Sequence, residues 1–257
     1  MPKLFFVLLI LLNISALYGK GTAVKVLLLN NTWLKADLLK FDRKGNLTIQ
    51  LDKRERILRR KEFRLVKMTL PPEMLKAGEL FKQHKTREAG KLLDSVAAKY
   101  NFPLMQLKIK VLQAQIKIAA HDYQTAVSLL SPPLEEKMTM PQLEASSYAH
   151  GFLLLGNAYA QLKQQDNATK AYRRSFDLAV PEYSAIANLS LGKMLLKQKR
   201  TQGALDCFLE NISVFAPEVP GRKLSLQATI SIYRKNKDKK LKVYEDMFKK
   251  EYSIKQK

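Results

Sequence analysis

A pattern of small and aromatic residues that recurs about every 36 residues constrains this sequence more than any other feature. Its recurring positions are Gly156 and Gly192, Ala168 and Ala204, Tyr172 and Phe208, and, one residue further apart, Ala77 and Ala114, and Ala89 and Ala126. A period of this length is typical of stacked helix pairs, because a small residue on one helix lets the next helix approach closely. The pattern therefore predicts a mainly α fold, a helical-repeat solenoid over residues 71–257.

The motif around the third helix pair resembles the tetratricopeptide repeat. Residues 155–159, Leu-Gly-Asn-Ala-Tyr, are followed by Ala168 and Ala171-Tyr172, and residues 121–126 match the turn between the two helices in that family. The resemblance implies about five helix pairs, at 73–101, 103–132, 148–181, 184–217 and 222–252. The last pair is a degenerate cap, because Lys240 stands at a packing position that the other pairs fill with alanine.

The repeat spacing is interrupted once. Between Pro132 and Ser147 the sequence inserts a proline-containing stretch, and Ala126 and Ala168 lie 42 rather than 36 residues apart. Because proline breaks a helical rhythm, the stretch predicts a longer loop between two blocks of repeats.

Short apolar runs before residue 70 follow a different rhythm. Leu47, Ile49 and Leu51 alternate with polar residues, which is typical of a half-buried strand. Apolar runs at 23–29, 32–41, 57–58 and 63–66, separated by turn residues, add further strands. Residues 20–70 are thus predicted to form a small antiparallel β-barrel-like module, and residues 22–67 resemble the SH3-like and Sm-like barrels. Trp33 is expected to be a partly buried packing residue.

The first nineteen residues have the pattern of an export signal. Lys3 precedes an apolar run from Leu4 to Leu12, and small residues follow. The run is much shorter than the roughly 20 residues that span a bilayer. We predict a signal peptide at 1–19, cleaved between Ala16 and Gly19, and an exported protein, periplasmic or secreted. The alternative is an uncleaved N-terminal membrane anchor.

Positive charge is concentrated at the two ends of the chain. The net charge is +22, and residues 20–68 hold 14 basic against 5 acidic residues. The densest run supplies a candidate patch for anionic surfaces, formed by Arg54, Arg56, Arg59, Arg60 and Lys61. Three interpretations stay open: an anionic membrane surface or envelope polymer, nucleic acid, and an ordinary solvated surface. The basic runs lack the interleaved aromatic residues of a stacking platform, which argues against nucleic acid.

The sequence contains few groups that could carry catalysis. One cysteine excludes a disulfide framework and a cysteine-based metal cluster, and no phosphate-binding, metalloprotease or hydrolase motif occurs. His84, His121 and His150 are expected at surfaces or turns, and Cys207 is expected in the packed interior. We therefore predict no cofactor, no metal site and no enzymatic activity.

The export signal predicts a protein of the cell envelope, and the resemblance implies a scaffold that binds a peptide or protein segment on the concave face of the repeats. First-helix residues line the groove in this family, and by position they are Met74, Gly78, Phe81 and Lys82, then Lys108, Val111, Gln115 and Ile118, then His150, Leu153, Asn157 and Gln161, then Ile186, Leu189, Lys193 and Lys197. The predicted partner-binding residues among them are Phe81, Lys82, Gln115, His150, Asn157, Gln161, Lys193 and Lys197. The alternative is a basic β module that binds an anionic membrane surface or envelope polymer, with the repeats as a spacer or oligomerisation arm.

Overall fold

The computed structural model describes residues 22–42, 45–100, 103–135 and 141–253. The predicted signal peptide at 1–19, with its cleavage site, lies outside the described residues. The chain divides into two compact units, and the division falls within the third helix after Ile116. The N-terminal unit contains the sheet, the first two helices, most of the third and the first residues of the fifth, 141–144, while the C-terminal unit contains the rest of the helices.

Five strands form one antiparallel sheet in the N-terminal unit. They are β1 (Thr22–Leu28), β2 (Trp33–Phe41), β3 (Leu47–Leu51), β4 (Arg54–Leu58) and β5 (Phe63–Met68), in the spatial order β4-β3-β2-β1-β5. The turns use residues in the left-handed region, with φ of 64° at Asn31 and 80° at Gly45. Residues of alternate strand positions fill the core of the sheet, and they are Val24, Val26, Leu38, Leu47, Ile49, Leu58, Phe63 and Val66.

Ten helices follow the sheet in the described part of the chain. They are α1 (Pro72–Lys82), α2 (Thr86–Lys99), α3 (Pro103–Ala119), α4 (Tyr123–Glu135), α5 (Pro141–Gln161), α6 (Gln165–Asp177), α7 (Pro181–Lys197), α8 (Thr201–Val214), α9 (Pro220–Lys235) and α10 (Leu241–Tyr252). The predicted fold class is confirmed: a mainly α helical-repeat solenoid of five helix pairs preceded by a small antiparallel sheet. Within the described ranges, no helix combines the length and apolarity that crossing a bilayer requires.

The turns inside the helix pairs share one backbone feature. Each contains one residue in the left-handed region, and these residues are His84, His121, Lys163, Lys199 and Lys237. A left-handed residue reverses the chain after a helix and lets the next helix begin within a few residues. His84 and His121 are therefore exposed turn residues, as predicted.

The prediction of a longer loop after Pro132 is wrong at both ends. Helix α4 continues through Pro132 and Pro133 to Glu135, and α5 begins at Pro141. Proline fixes φ near the helical value, so it costs little where the N–H it lacks would have no partner, as at the first residue of α5. In α4 the two prolines lie in the final turn, where Leu134 is only 3% exposed and packs into the interior.

The predicted close-packing role of the repeat glycines is confirmed. A Cβ added at Gly156 would lie 2.5 Å from Cδ1 of Tyr172, and one added at Gly192 would lie 2.8 Å from Cζ of Phe208. Both aromatic side chains are buried in the core cluster of the C-terminal unit. In each repeat the aromatic ring thus occupies the space that a side chain at the glycine position would need.

The last helix pair closes with polar contacts. Lys240 precedes α10 rather than packing within it, and Tyr244 packs against Tyr233 with ring centroids 5.3 Å apart. Arg222 is only 6% exposed and forms a two-bonded ion pair with Glu251. A buried guanidinium needs such a partner, so Arg222 fixes α10 against α9.

Candidate partner-binding site

The predicted partner-binding residues are divided between the two units. Phe81 and Lys82 on α1 and Gln115 on α3 belong to the N-terminal unit. Phe81 is half-buried against the core there, whereas Lys82 is exposed and its ammonium pairs with Glu79 at 2.9 Å. The other five predicted residues belong to the C-terminal unit, on α5 and α7.

His150 is half-buried on α5, so the expectation of a surface or turn position is wrong for this histidine. Its ring stacks on the ring of Tyr183 from α7, with centroids 4.5 Å apart and planes 7° from parallel. Burial lowers the pKa of His150 from its usual 6.5 to about 4. The imidazole is therefore neutral near pH 7 and presents a flat, uncharged surface together with Tyr183.

Asn157 has one half of its side-chain amide fixed and the other half free. Its Oδ1 accepts a hydrogen bond of 2.9 Å from the hydroxyl of Tyr172. Burial raises the pKa of Tyr172, so the hydroxyl keeps its proton and remains a donor. No residue in the described ranges accepts a hydrogen bond from Asn157 Nδ2, although the side chain is partly accessible. The amide is oriented by this bond, and its N–H groups have no acceptor among the described residues.

The remaining predicted residues on α5 and α7 are open to solvent. Gln161, Lys193 and Lys197 are exposed, and their side chains form no hydrogen bond or ion pair with a described residue. Other positions that the resemblance placed in the groove are too buried to contact a partner, and they are Met74, Val111, Leu153 and Leu189. The reason is that each lies where its own helix meets a neighbour, so the apolar members of the pattern build the core.

The C-terminal unit also contains a cavity that the sequence analysis did not predict. It has a volume of about 410 Å³ and lies between α4, α5 and α6. Phe152 and Leu155 form part of its apolar wall, and Lys170 and Arg174 are exposed cations at its edge. None of the eight predicted partner-binding residues lines this cavity. Leu155 and Tyr159 belong to the repeat motif on α5, where the pattern predicts packing rather than a cavity, and the second-helix residues of the lining were not predicted as binding residues.

The predicted anionic-surface patch is mostly accessible. Arg54, Arg56, Arg59 and Lys61 are exposed, and Arg54 and Arg56 line a shallow hollow of about 550 Å³ beside β4. Arg60 differs, because its Nη1 donates a 3.0 Å hydrogen bond to the carbonyl of Phe63 and its guanidinium lies over the Phe63 ring. Arg60 therefore supports the turn before β5, and it is less accessible than the other four residues of the predicted patch.

Groups with chemical reactivity are few in the described residues. Cys207 is buried, as predicted, and burial is the main cause that raises the pKa of its thiol. Trp33 is 45% exposed, and the Lys67 ammonium lies 5.2 Å from its ring centroid. No group of three or more histidine, cysteine or acidic side chains within the described ranges is arranged to hold a metal ion.

No family model and no curated protein sequence matches the chain. Solved structures do resemble it. The apo form of RapI matches with a TM-score of 0.58 at 9% identity, over 69% of this chain and 52% of that one. BtubC from P. vanneervenii matches with a TM-score of 0.55 at 14% identity, over 69% and 77% of the two chains. A Podosopora anserina protein with nearly identical TPR-like repeats matches with a TM-score of 0.52 at 16% identity, over 72% and 95%. At these identities the likeness establishes a TPR-like fold.

Proposed function

We propose that the protein is a non-enzymatic interaction scaffold of the cell envelope, which binds a peptide or protein segment along the first helices of the C-terminal unit. The observation that carries the proposal is the Asn157 amide, held at Oδ1 by Tyr172 while its N–H groups have no described partner. An oriented amide donor suits a backbone carbonyl of an extended peptide.

The neighbouring residues define the chemistry of the segment. The neutral His150–Tyr183 stack offers an apolar surface at one end of the α5 face. Gln161 adds exposed amide groups, and Lys193 and Lys197 add exposed positive charges from α7. The ligand is therefore an extended segment with an apolar residue and acidic residues, and the two lysines set its polarity.

The envelope location rests on the N-terminal sequence pattern, and mass measurement of the native protein tests it. A chain whose first residue lies between Leu17 and Lys20 supports export, whereas one that still begins at Met1 or Pro2 supports an anchored protein. The same proposal includes the assignment of the sheet as an SH3-like module. The strand order and the short 3-10 turn at Arg60–Glu62 between β4 and β5 support it.

The test of peptide binding uses affinity capture of envelope peptides on the full chain, followed by affinity measurement for those captured. Asn157→Ala and Lys193→Ala should each weaken binding about tenfold, which corresponds to roughly 1.4 kcal/mol. Lys170→Ala is the matched control, because Lys170 is equally exposed but lies at the cavity between α4, α5 and α6. A loss with Lys170→Ala alone would place the ligand in that cavity and contradict the proposal.

A second candidate function is attachment of the β module to an anionic membrane surface or envelope polymer. The exposure of Arg54, Arg56 and Arg59 favours it. In that case the repeats serve as a spacer or oligomerisation arm. Binding to anionic vesicles that falls steeply as salt is raised would support this function, since exposed charges are screened within about 8 Å at physiological ionic strength.

A further inference from the structure

Strand β4 is an edge of the sheet and pairs on one side only. Its residues Arg54–Leu58 pair with β3, and in the described residues no other strand or backbone hydrogen bond engages its opposite side. Among the residues that the structure describes, the backbone N–H and C=O groups along that side have no partner, and such groups can pair with another extended chain.

The side chains along this edge alternate in chemistry. Arg54 and Arg56 share one face of the strand, and Glu55 and Ile57 share the other. All four are exposed, and the Ile57 side chain reaches 65% exposure. A hollow of about 550 Å³ beside the strand is lined by Arg54 and Arg56 together with Leu51, Asp52 and Glu55, and it gives room for the side chains of an added strand.

We propose that β4 is a docking edge for an extended acidic segment of a partner protein, which adds to the sheet as an antiparallel strand. The main chain of the segment continues the ladder, and carboxylates at alternate positions face Arg54 and Arg56. An apolar residue on the other face of the segment covers Ile57. This surface is separate from the proposed peptide site on α5 and α7.

Charge decides which occupant fits the edge. Residues 20–68 carry 14 basic and 5 acidic residues, so an acidic segment is attracted to the whole module. A second copy of this chain would bring the same strand, in which Arg54 and Arg56 outnumber Glu55, and the copies would repel each other. Charged residues can also protect an edge from aggregation. Protection alone does not account for an isoleucine on this edge strand that is 65% exposed.

The test compares three short peptides for binding to the full chain, measured by fluorescence anisotropy. The first alternates glutamate with valine and threonine, the second carries lysine in place of glutamate, and the third is the acidic peptide with alternate backbone nitrogens methylated. The acidic peptide should bind, and the other two should bind at least about tenfold more weakly. Equal binding of the methylated peptide would overturn the proposal, because charge attraction without a strand ladder would then suffice.

Two double variants locate the site. Arg54→Gln with Arg56→Gln should lose at least about tenfold in affinity for the acidic peptide at roughly 0.15 M ionic strength. Arg59→Gln with Lys61→Gln removes the same charge beyond the strand and should change the affinity by less than about twofold. Equal losses in the two would overturn the proposal, and thermal melting verifies that each variant is folded.

Two further arms separate this site from its alternatives. The repeat face is proposed to take a segment of similar chemistry, so the peptides are also measured on a chain that carries Asn157→Ala and Lys193→Ala, in which that site is weakened. Binding of the acidic peptide that is lost in this variant but persists with Arg54→Gln and Arg56→Gln would assign the peptide to the repeat face and overturn this proposal. Binding to vesicles of phosphatidylglycerol, measured for the parent chain and both double variants, tests the membrane alternative. Vesicle binding that is lost equally in both double variants, with no binding of the acidic peptide, would overturn the proposal and identify the patch as a membrane contact.

Discussion

The first helix pair and the fourth place different sizes of residue at the same two positions. In α1 and α2 these positions hold Ala77 and Leu93, both buried in one apolar cluster of the N-terminal unit. In α7 and α8 they hold Gly192 and Phe208, and the ring occupies the space of the missing side chain. The difference teaches that the repeat preserves the combined volume of the two positions rather than either residue.

The C-terminal unit and the first three helices also differ in how polar their interiors are. In the C-terminal unit, Asn188 and Asn211 are fully buried, and Asn188 Nδ2 donates a 2.9 Å hydrogen bond to the carbonyl of Cys207. Asn211 Nδ2 donates to the carbonyl of Ala185 at 2.8 Å. In the described part of α1, α2 and α3, no polar residue is among the fully buried ones. Buried amides require fixed partners, so the C-terminal unit tolerates less rearrangement around its helices.

The largest effect is expected from Gly192→Leu. A leucine side chain would have to share the space of the Phe208 ring, so the free energy of unfolding should fall by about 3 kcal/mol or more. Urea denaturation measures the loss. Gly90→Leu is the control, because a Cβ at Gly90 meets no atom within 4 Å. A Gly192→Leu variant that melts within about a degree of the parent would refute the packing role of the glycine.

A smaller substitution tests whether the two positions compensate. Gly192→Ala should cost roughly 1–3 kcal/mol, because the added methyl group would overlap the ring of Phe208. Adding Phe208→Leu recreates the alanine and leucine of the first helix pair and should recover at least half of that loss. The double-mutant cycle gives the coupling directly. Simple addition of the two single losses would contradict the volume rule.

Stability of the C-terminal unit should depend on pH through His150. The folded state lowers the pKa of His150 to about 4, so the unfolded chain binds more protons between that value and 6.5. Stability should therefore fall as the pH drops through this window, by an amount on the order of 1–2 kcal/mol for a ring that is partly exposed.

Two variants assign this pH dependence. His150→Phe keeps an aromatic ring against Tyr183 and should flatten the stability profile between pH 6.5 and 4. His121→Gln, which changes an exposed turn histidine, should leave the profile unchanged. Lys108 holds the corresponding repeat position on α3. Burial lowers the pKa of Lys108 from a usual value of 10.5, which lies well above the usual 6.5 of histidine. An unaltered slope in His150→Phe would assign the dependence to other groups.

The sequence predicts the repeat and its glycine positions well because those depend on contacts inside one helix pair. Gly156 and Gly192 follow from the period alone. Gly221 does not, although a Cβ there would lie 2.7 Å from the carbonyl carbon of Ala185 on α7. That approach depends on how consecutive pairs are offset, which no short-range pattern encodes.

The same limit applies to the candidate site. The positions of Asn157, Lys193 and Lys197 on first helices could be predicted, because the family pattern fixes them. The Tyr172 hydroxyl on Asn157 and the stacking of His150 on Tyr183 could not, since both depend on side-chain rotamers in the packed unit. The role of Arg60 was missed for a related reason, because its carbonyl partner, Phe63, comes from the next strand.

The smallest effect is expected at two glycines of the first helix pair that lie outside the packing position held by Ala77. A Cβ added at Gly78 or Gly90 meets no atom within 4 Å, and both residues lie inside helices. Gly78→Ala and Gly90→Ala should therefore each raise the free energy of unfolding by about 0.5–1 kcal/mol, because alanine restricts the unfolded chain more than glycine does. Gly156→Ala should have the opposite sign, since its Cβ would lie 2.5 Å from the Tyr172 ring, whose hydroxyl is fixed by Asn157. Urea denaturation of the three variants under the same conditions tests these signs. A loss of stability in Gly78→Ala would contradict an open position at Gly78, and a gain in Gly156→Ala would contradict the packing role of Gly156.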